Sequence, residues 1–191
     1  MFDPLNRLRV LVPVALLGVL AVGCSSPVAT DPEFEAAYGQ TMALELSVRE
    51  RQFDEQKIRS VPPEDRPKAF GEHLQNIAEQ YAKIGQRWKE VVPPDRHRMR
   101  HKAIADFFDE RAETLSELGS RYASMEPDEA EIALKETEVS YSERVLEVFR
   151  AEAELGLDRS AEIAAYMRTK NELLASIDRI KIRMEQSEAN E

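Results

Sequence analysis

The sequence predicts an all-α chain: an elongated antiparallel bundle of about five long helices, preceded by a short targeting segment and a tether. Three observations carry that expectation. Apolar residues recur at steps of three and four over most of the chain, the spacing that lines one face of a helix. Breaks rich in proline or glycine fall at nearly even intervals, at Val61-Pro62-Pro63, Val92-Pro93-Pro94, Glu126-Pro127 and Gly156-Leu157-Asp158. Little of the chain alternates with the period of two that a half-buried strand needs.

The first element is residues 1–23. Arg7 and Arg9 against Asp3 make a weakly cationic start, and an uncharged, mostly apolar run follows from Val10 to Val22. Thirteen helical residues span only ~20 Å, against a hydrocarbon core of roughly 30 Å. The run is too short to cross a membrane, and Pro13 and Gly18 weaken it further as a helix. Its length suits the apolar region of a signal peptide.

Gly23 and Cys24 close that run. The residues Ala21-Val22-Gly23-Cys24 resemble the lipobox of bacterial lipoproteins, with Ala21 where the class usually has leucine. The resemblance covers about the first 25 residues. It implies cleavage before Cys24, diacylglycerol on the cysteine sulfur, and a chain held in the cell envelope by that lipid. In a Gram-negative source, Ser25 beside the cysteine implies the periplasmic face of the outer membrane. Cys24 is the only cysteine, so no intramolecular disulfide can form.

The second element is residues 24–32, a lipidated tether. Its eight residues after the cysteine, Ser-Ser-Pro-Val-Ala-Thr-Asp-Pro, reach at most ~28 Å when extended. The domain should therefore stay near the membrane. Cleavage removes two arginines and one aspartate, so 168 residues remain and the net side-chain charge moves from −10 to −11. That balance disfavours nucleic acid and bulk attraction to an anionic bilayer.

The bundle domain is residues 33–191, with helices expected near 32–59, 65–91, 95–124, 128–155 and 159–187. The first carries a wrapped pattern, Phe34, Tyr38, Met42, Leu46 and Val48. In the second, Phe70, Leu74, Ile77, Tyr81, Ile84, Trp88 and Val91 alternate steps of four and three without a fault. The third holds Ile104, Phe108, Leu115, Leu118 and Tyr122 in one register, broken at Arg111. Leu134, Thr137, Tyr141, Val145, Val148 and Leu155 form a looser stripe in the fourth. The fifth runs Ile163, Tyr166, Lys170, Leu173, Ile177, Ile180 and Met184, with the charged Lys170 as its one interruption. A long helix cannot hide such a stripe alone, and short connectors make successive helices antiparallel. The same stripes could also serve coiled-coil self-association.

A faint internal repeat fits this plan. Val61-Pro-Pro-Glu-Asp-Arg resembles Val92-Pro-Pro-Asp-Arg, and Ile84-Gly85-Gln86-Arg87-Trp88 resembles Leu118-Gly119-Ser120-Arg121-Tyr122. Glycine before the aromatic in both suggests close helix approach, although shared heptad composition explains the match equally well. No named solenoid repeat is present.

Candidate chemistry is sparse. His97 and His101 share a helical face, but Arg96, Arg98, Arg100 and Lys102 surround them. That field opposes a metal and favours neutral imidazoles. His73, beside the stripe residue Leu74, reads as a boundary histidine. There is no HExxH, no Gly-x-Ser-x-Gly and no glycine-rich phosphate loop. Tyr38, Tyr81, Tyr122, Tyr141 and Tyr166 fall one per helix; with Trp88 they either pack the core or line a cavity. The cluster Arg96, Arg98, Arg100 and Lys102 either docks an anionic partner or pairs with carboxylates of this chain.

The resulting expectation is a non-enzymatic, membrane-anchored envelope lipoprotein: a scaffold, adaptor or accessory subunit, needing no cofactor and no metal. Its partners would be the membrane, through lipid on Cys24, and an envelope protein or a second copy. The alternative is a lipid- or small-molecule-binding bundle, with an enzyme third.

Overall fold

The structure is a computed structural model and describes residues 28–52, 58 and 60–189. Five long helices carry these residues: α1 (Asp31–Gln52), α2 (Arg66–Lys89), α3 (Arg98–Arg121), α4 (Pro127–Glu154) and α5 (Ser160–Glu188). No strand occurs among the described residues. Single 3₁₀ turns at Pro63–Asp65 and Asp95–His97 precede α2 and α3, and one at Tyr122–Ser124 ends α3.

Each helix packs on the next in chain order. The direction alternates. Gly71 near the start of α2 meets Gly119 near the end of α3, whereas Trp88 at the end of α2 meets His101 in the first turn of α3. Likewise Arg183 late in α5 reaches Asp128 at the start of α4. All-α character and an antiparallel bundle are thus what the chain forms.

The helix ends follow from local sequence. Glu33 closes the start of α1, its Oε2 accepting both the backbone N–H and the hydroxyl of Thr30 at 2.8 Å. Glu126 and Glu129 form a reciprocal capping box before α4, with Pro127 in the first turn. Gly156 at φ 85° ends α4: its N–H donates to the Ala153 carbonyl and that of Leu157 to the Glu152 carbonyl, a Schellman arrangement. Asp158 then receives the Ser160 N–H and hydroxyl at the start of α5. Before α2 and α3, Pro62 and Pro94 are both extended and lead into matching 3₁₀ turns. The two Val-Pro-Pro connectors therefore do the same structural job.

Glycines knit α2 to α3. A Cβ on Gly71 would lie 2.6 Å from the Gly119 carbonyl oxygen, and one on Gly119 would lie 2.6 Å from that of Gly71. On Gly85, a Cβ would come within 2.8 Å of Phe108 Cβ. The close approach expected for Gly85 and Gly119 is present, and Gly71 supplies the partner that the repeat did not indicate.

The core is built from α2 and α3, with Leu74, Ile77, Tyr81, Trp88, Ile104, Phe108, Leu115 and Leu118 buried. Phe34 and Val48 of α1 and Tyr141 and Val148 of α4 close it. Two expected stripes are revised. On α1 the buried positions are Phe34, Glu45 and Val48, while Leu46 is 40% exposed. Met42 is half-buried, Leu46 faces outward, and Glu45 takes the inward place. On α4, Thr137, Tyr141 and Val148 of the expected stripe are buried, Leu134, Val145 and Leu155 are half-buried, and Ala130, Ala133, Ser142, Leu146, Ala151 and Glu152 are buried besides. α4 has neighbours on two sides, α3 and α5, so two faces are covered and no single narrow stripe describes it.

Candidate functional site

Cys24 and the lipobox-like residues before it lie outside the described residues. The chain that follows is placed from Val28, and Ala29 donates its N–H to the Val92 carbonyl at 2.9 Å. The chain before α1 therefore meets the bundle at the α2–α3 connector.

That same end carries the basic segment. Arg96 reaches Asp31 at 2.6 Å, Arg98 reaches Asp95 at 2.7 Å, Lys102 pairs with Asp106, and Arg100 pairs with Glu35. Each of the four cations meets a carboxylate of this chain. Three of them are surface groups, with side chains 62%, 72% and 73% exposed for Arg96, Arg98 and Lys102. Arg100 is 1% exposed and faces the core, so it belongs to no surface patch.

Arg100 is held by more than one partner. Its guanidinium lies 5.0 Å from the Phe34 ring centroid and 4.6 Å from that of Tyr38. Nη1 is 3.8 Å from Glu152 Oε1, and Arg159 Nε donates to Glu152 Oε2 at 2.6 Å. Glu152 is fully buried between these two arginines, which supply the opposite charge that a buried carboxylate needs. Burial, and then the Glu152 charge, push the Tyr38 hydroxyl above its ordinary value. This cluster ties the starts of α1, α3 and α5 to the end of α4.

The two histidines of the segment have structural roles. His97 is buried and stacks on Phe34 at 4.6 Å, with Nε2 3.3 Å from Asp31 Oδ1. Burial first, and the Arg100 charge second, hold it below the ordinary imidazole value, so it is neutral near pH 7. His101 Nε2 lies 3.0 Å from the Trp88 carbonyl, while Trp88 Nε1 donates to the His101 carbonyl at 2.9 Å. A carbonyl can only accept, so His101 Nε2 bears the hydrogen. His73 is half-buried, with Nε2 3.1 Å from the Arg51 carbonyl at the end of α1. Among the described residues no group of three His, Cys, Asp or Glu side chains is placed to hold a metal ion.

A second buried cluster sits in mid-bundle. Glu45 Oε1 receives the Tyr81 hydroxyl at 3.3 Å and the Tyr141 hydroxyl at 3.1 Å. The Arg111 guanidinium stands 4.8 Å from the Tyr141 ring centroid and that of Arg49 5.0 Å from it. Arg111 donates to the Thr137 carbonyl at 2.9 Å and to Glu138 Oε1 at 2.6 Å. Burial raises the Glu45 carboxyl above its ordinary 4.5, against the lowering effect of Arg49 and the two tyrosine bonds. Burial raises the Tyr81 and Tyr141 hydroxyls as well, and the Glu45 charge adds to it.

Tyr81 and Tyr141 thus meet a carboxylate in the core, whereas Tyr122 packs on Phe70 and Tyr166 on Phe149. An open groove of about 260 Å³ lies elsewhere, between Glu110 of α3, Glu143 and Arg144 of α4 and Lys170 of α5, and charged groups dominate its walls. No described helix is long and apolar enough to cross a membrane.

Glu45 and Glu152 are inward acids that the apolar stripes do not pick out. For Glu45 the signal was present: it lies in the four-and-three register with Phe34, Tyr38 and Val48, as Arg100 and Arg111 do with Ile104 and Phe108. A charge in a buried register marks an interior ion cluster when an opposite charge occupies a neighbouring stripe. Compared with known proteins, the chain matches no family, no curated protein and no solved structure.

Proposed function

We propose that this chain is a lipid-anchored lipoprotein of the bacterial envelope, whose bundle acts as a rigid scaffold, adaptor or accessory subunit without catalysis. The observation that carries the reading is the joint between tether and bundle. Ala29 is bonded to Val92 only five residues after the lipobox-like Cys24, so an anchor there and a stiff domain would be directly coupled. The buried ionic clusters support the rigid part of the reading, because they fasten helices to one another across the core. Arg96, Arg98 and Lys102 are the cations available to an anionic partner, and such a partner would have to displace Asp31, Asp95 and Asp106.

Growth with a fatty-acid analogue, comparing the natural chain with Cys24→Ala, tests the anchor. Label should enter the natural chain alone, and its intact mass should lack residues 1–23. Equal labelling, or a mass retaining that segment, overturns the reading. Crosslinking from whole cells, repeated with Arg96, Arg98 and Lys102 reversed in charge, tests the partner. Loss of the captured species is expected; undiminished capture would remove these cations from the proposal.

A further inference from the structure

Resting on the anchor at Cys24, we infer that the bundle stands end-on, with the turns α2–α3 and α4–α5 against the lipid surface that holds the acyl chains. The first ground is reach. Ala29 is bonded to Val92 in the α2–α3 connector. Between the Cα atoms of Cys24 and Ala29 an extended chain spans at most ~18 Å. The opposite end of the bundle is further off, since the 24 residues of α2 are ~36 Å long.

The second ground is what this end exposes. Val28 and Met99 are the two most exposed large apolar side chains among the described residues, at 63% each. Leu157, in the α4–α5 turn, is 44% exposed. The antiparallel order brings all three to one end: Val28 precedes α1, Met99 lies in the first turn of α3, and Leu157 follows α4. Apolar side chains beside a covalent lipid anchor gain by entering the headgroup boundary.

Charge does not drive the contact. Arg96 and Arg98 at this end are paired with Asp31 and Asp95, and Glu90 and Asp158 are exposed beside them. The occupant is therefore the bilayer carrying the Cys24 lipid, touched through apolar side chains, with no requirement for anionic headgroups.

A side-on arrangement is the rival, because α5 exposes Met167, Leu174 and Ile182 along one face. The two can be separated with the full lipidated protein in phosphatidylethanolamine–phosphatidylglycerol vesicles containing a headgroup spin-labelled lipid. Acylation consumes the only natural thiol, so Met99→Cys, Leu157→Cys, Leu174→Cys and Glu64→Cys each offer one site for a fluorophore. Labels at 99 and 157 should be quenched several-fold more than labels at 174 and at 64, which sits in the distal α1–α2 turn. The pattern should persist when phosphatidylcholine replaces phosphatidylglycerol. Stronger quenching at 174, equal quenching at all four, or loss of the pattern without anionic lipid overturns the end-on contact. Flotation and intact mass on the same samples keep the anchor distinct: an unacylated chain that fails to float overturns the anchor and the orientation together. An acylated, floating chain with the wrong pattern overturns the orientation alone.

Discussion

The hairpins α2–α3 and α4–α5 have the same topology and nearly the same length, yet they are closed by different forces. Between α2 and α3 the backbones touch at Gly71 and Gly119, Gly85 lies under Phe108, and Trp88 exchanges hydrogen bonds with His101. Between α4 and α5 the buried apolar groups of α5 are Ile177 and Ile180, with Tyr166 set edge-on to Phe149 at 5.6 Å. Charged pairs make up the difference: Lys170–Glu143 at 2.5 Å, Lys181–Glu136 at 3.7 Å and Arg183–Asp128 at 2.5 Å. The first hairpin spends helix propensity on glycine to bring two apolar faces into close packing. The second keeps good helix formers and relies on pairs that water can compete for.

The largest expected effect comes from Trp88→Ala. Trp88 is 1% exposed, packs against Phe34 at 5.3 Å and stacks on His101 at 4.9 Å. Removing a buried aromatic leaves a cavity and costs about 3–5 kcal/mol. Urea unfolding should record a loss of that size. Phe149→Ala in the second hairpin, where Phe149 is only half-buried, should cost clearly less. Equal costs would erase the contrast between the hairpins.

Gly71→Ala sharpens the same contrast. On an open helix face, alanine stabilises by up to ~1 kcal/mol relative to glycine. Here its Cβ would sit 2.6 Å from a backbone carbonyl oxygen, which cannot swing aside. A net loss of about 1–3 kcal/mol is expected from overpacking. A gain in thermal midpoint would mean that the two backbones do not meet as closely as described.

Most of the architecture was legible because the breaks have strong local causes: proline in first turns, Gly156 at positive φ, and Asp158 before Ser160. The uninterrupted stripe of α2 is buried from Leu74 to Trp88 and half-buried at Phe70 and Val91, because it faces neighbours along most of its length. What escaped reading depends on three helices at once. Glu45 looks like one acid among 36 until α2 and α4 deliver Tyr81 and Tyr141 to it. Arg100 belongs by sequence to the basic run 96–102, yet the α1 and α4 neighbours decide that it is buried while Arg98 is not. Helical phase tells which side chains share a face; it does not tell which faces are covered.

Glu45 is also where the two hairpins are joined. It sits on α1 and accepts one hydroxyl from α2 and one from α4, with Arg49 of its own helix and Arg111 of α3 nearby. Because burial raises its carboxyl in the folded state, the fold retains the proton to a higher pH than the unfolded chain does. This group's contribution therefore declines as pH rises from 4.5 through the raised folded value. Glu45→Gln removes the titration but keeps an acceptor for both tyrosines. Its stability relative to the natural chain should rise across that window and level off above it. A constant difference from pH 4 to pH 8 would show that the carboxylate gains its charge in the core without cost.

The smallest expected effect lies at the α4–α5 ion pairs. Lys181 and Arg183 are 53% and 60% exposed, so removing either should cost only about 0.2–1 kcal/mol. The informative measurement is amide hydrogen exchange along the chain at low and high salt. At 1 M salt the screening length falls to about 3 Å, which weakens the pairs of the second hairpin and leaves the glycine-closed interface of the first untouched. Amides of α5 should exchange before those of α2 and α3, and salt should accelerate α5 selectively. If α2 and α5 instead opened together at both salt concentrations, the ion pairs would not set the stability of α5. The hairpins would then form one cooperative unit through Glu45, and the difference between them would be one of geometry alone.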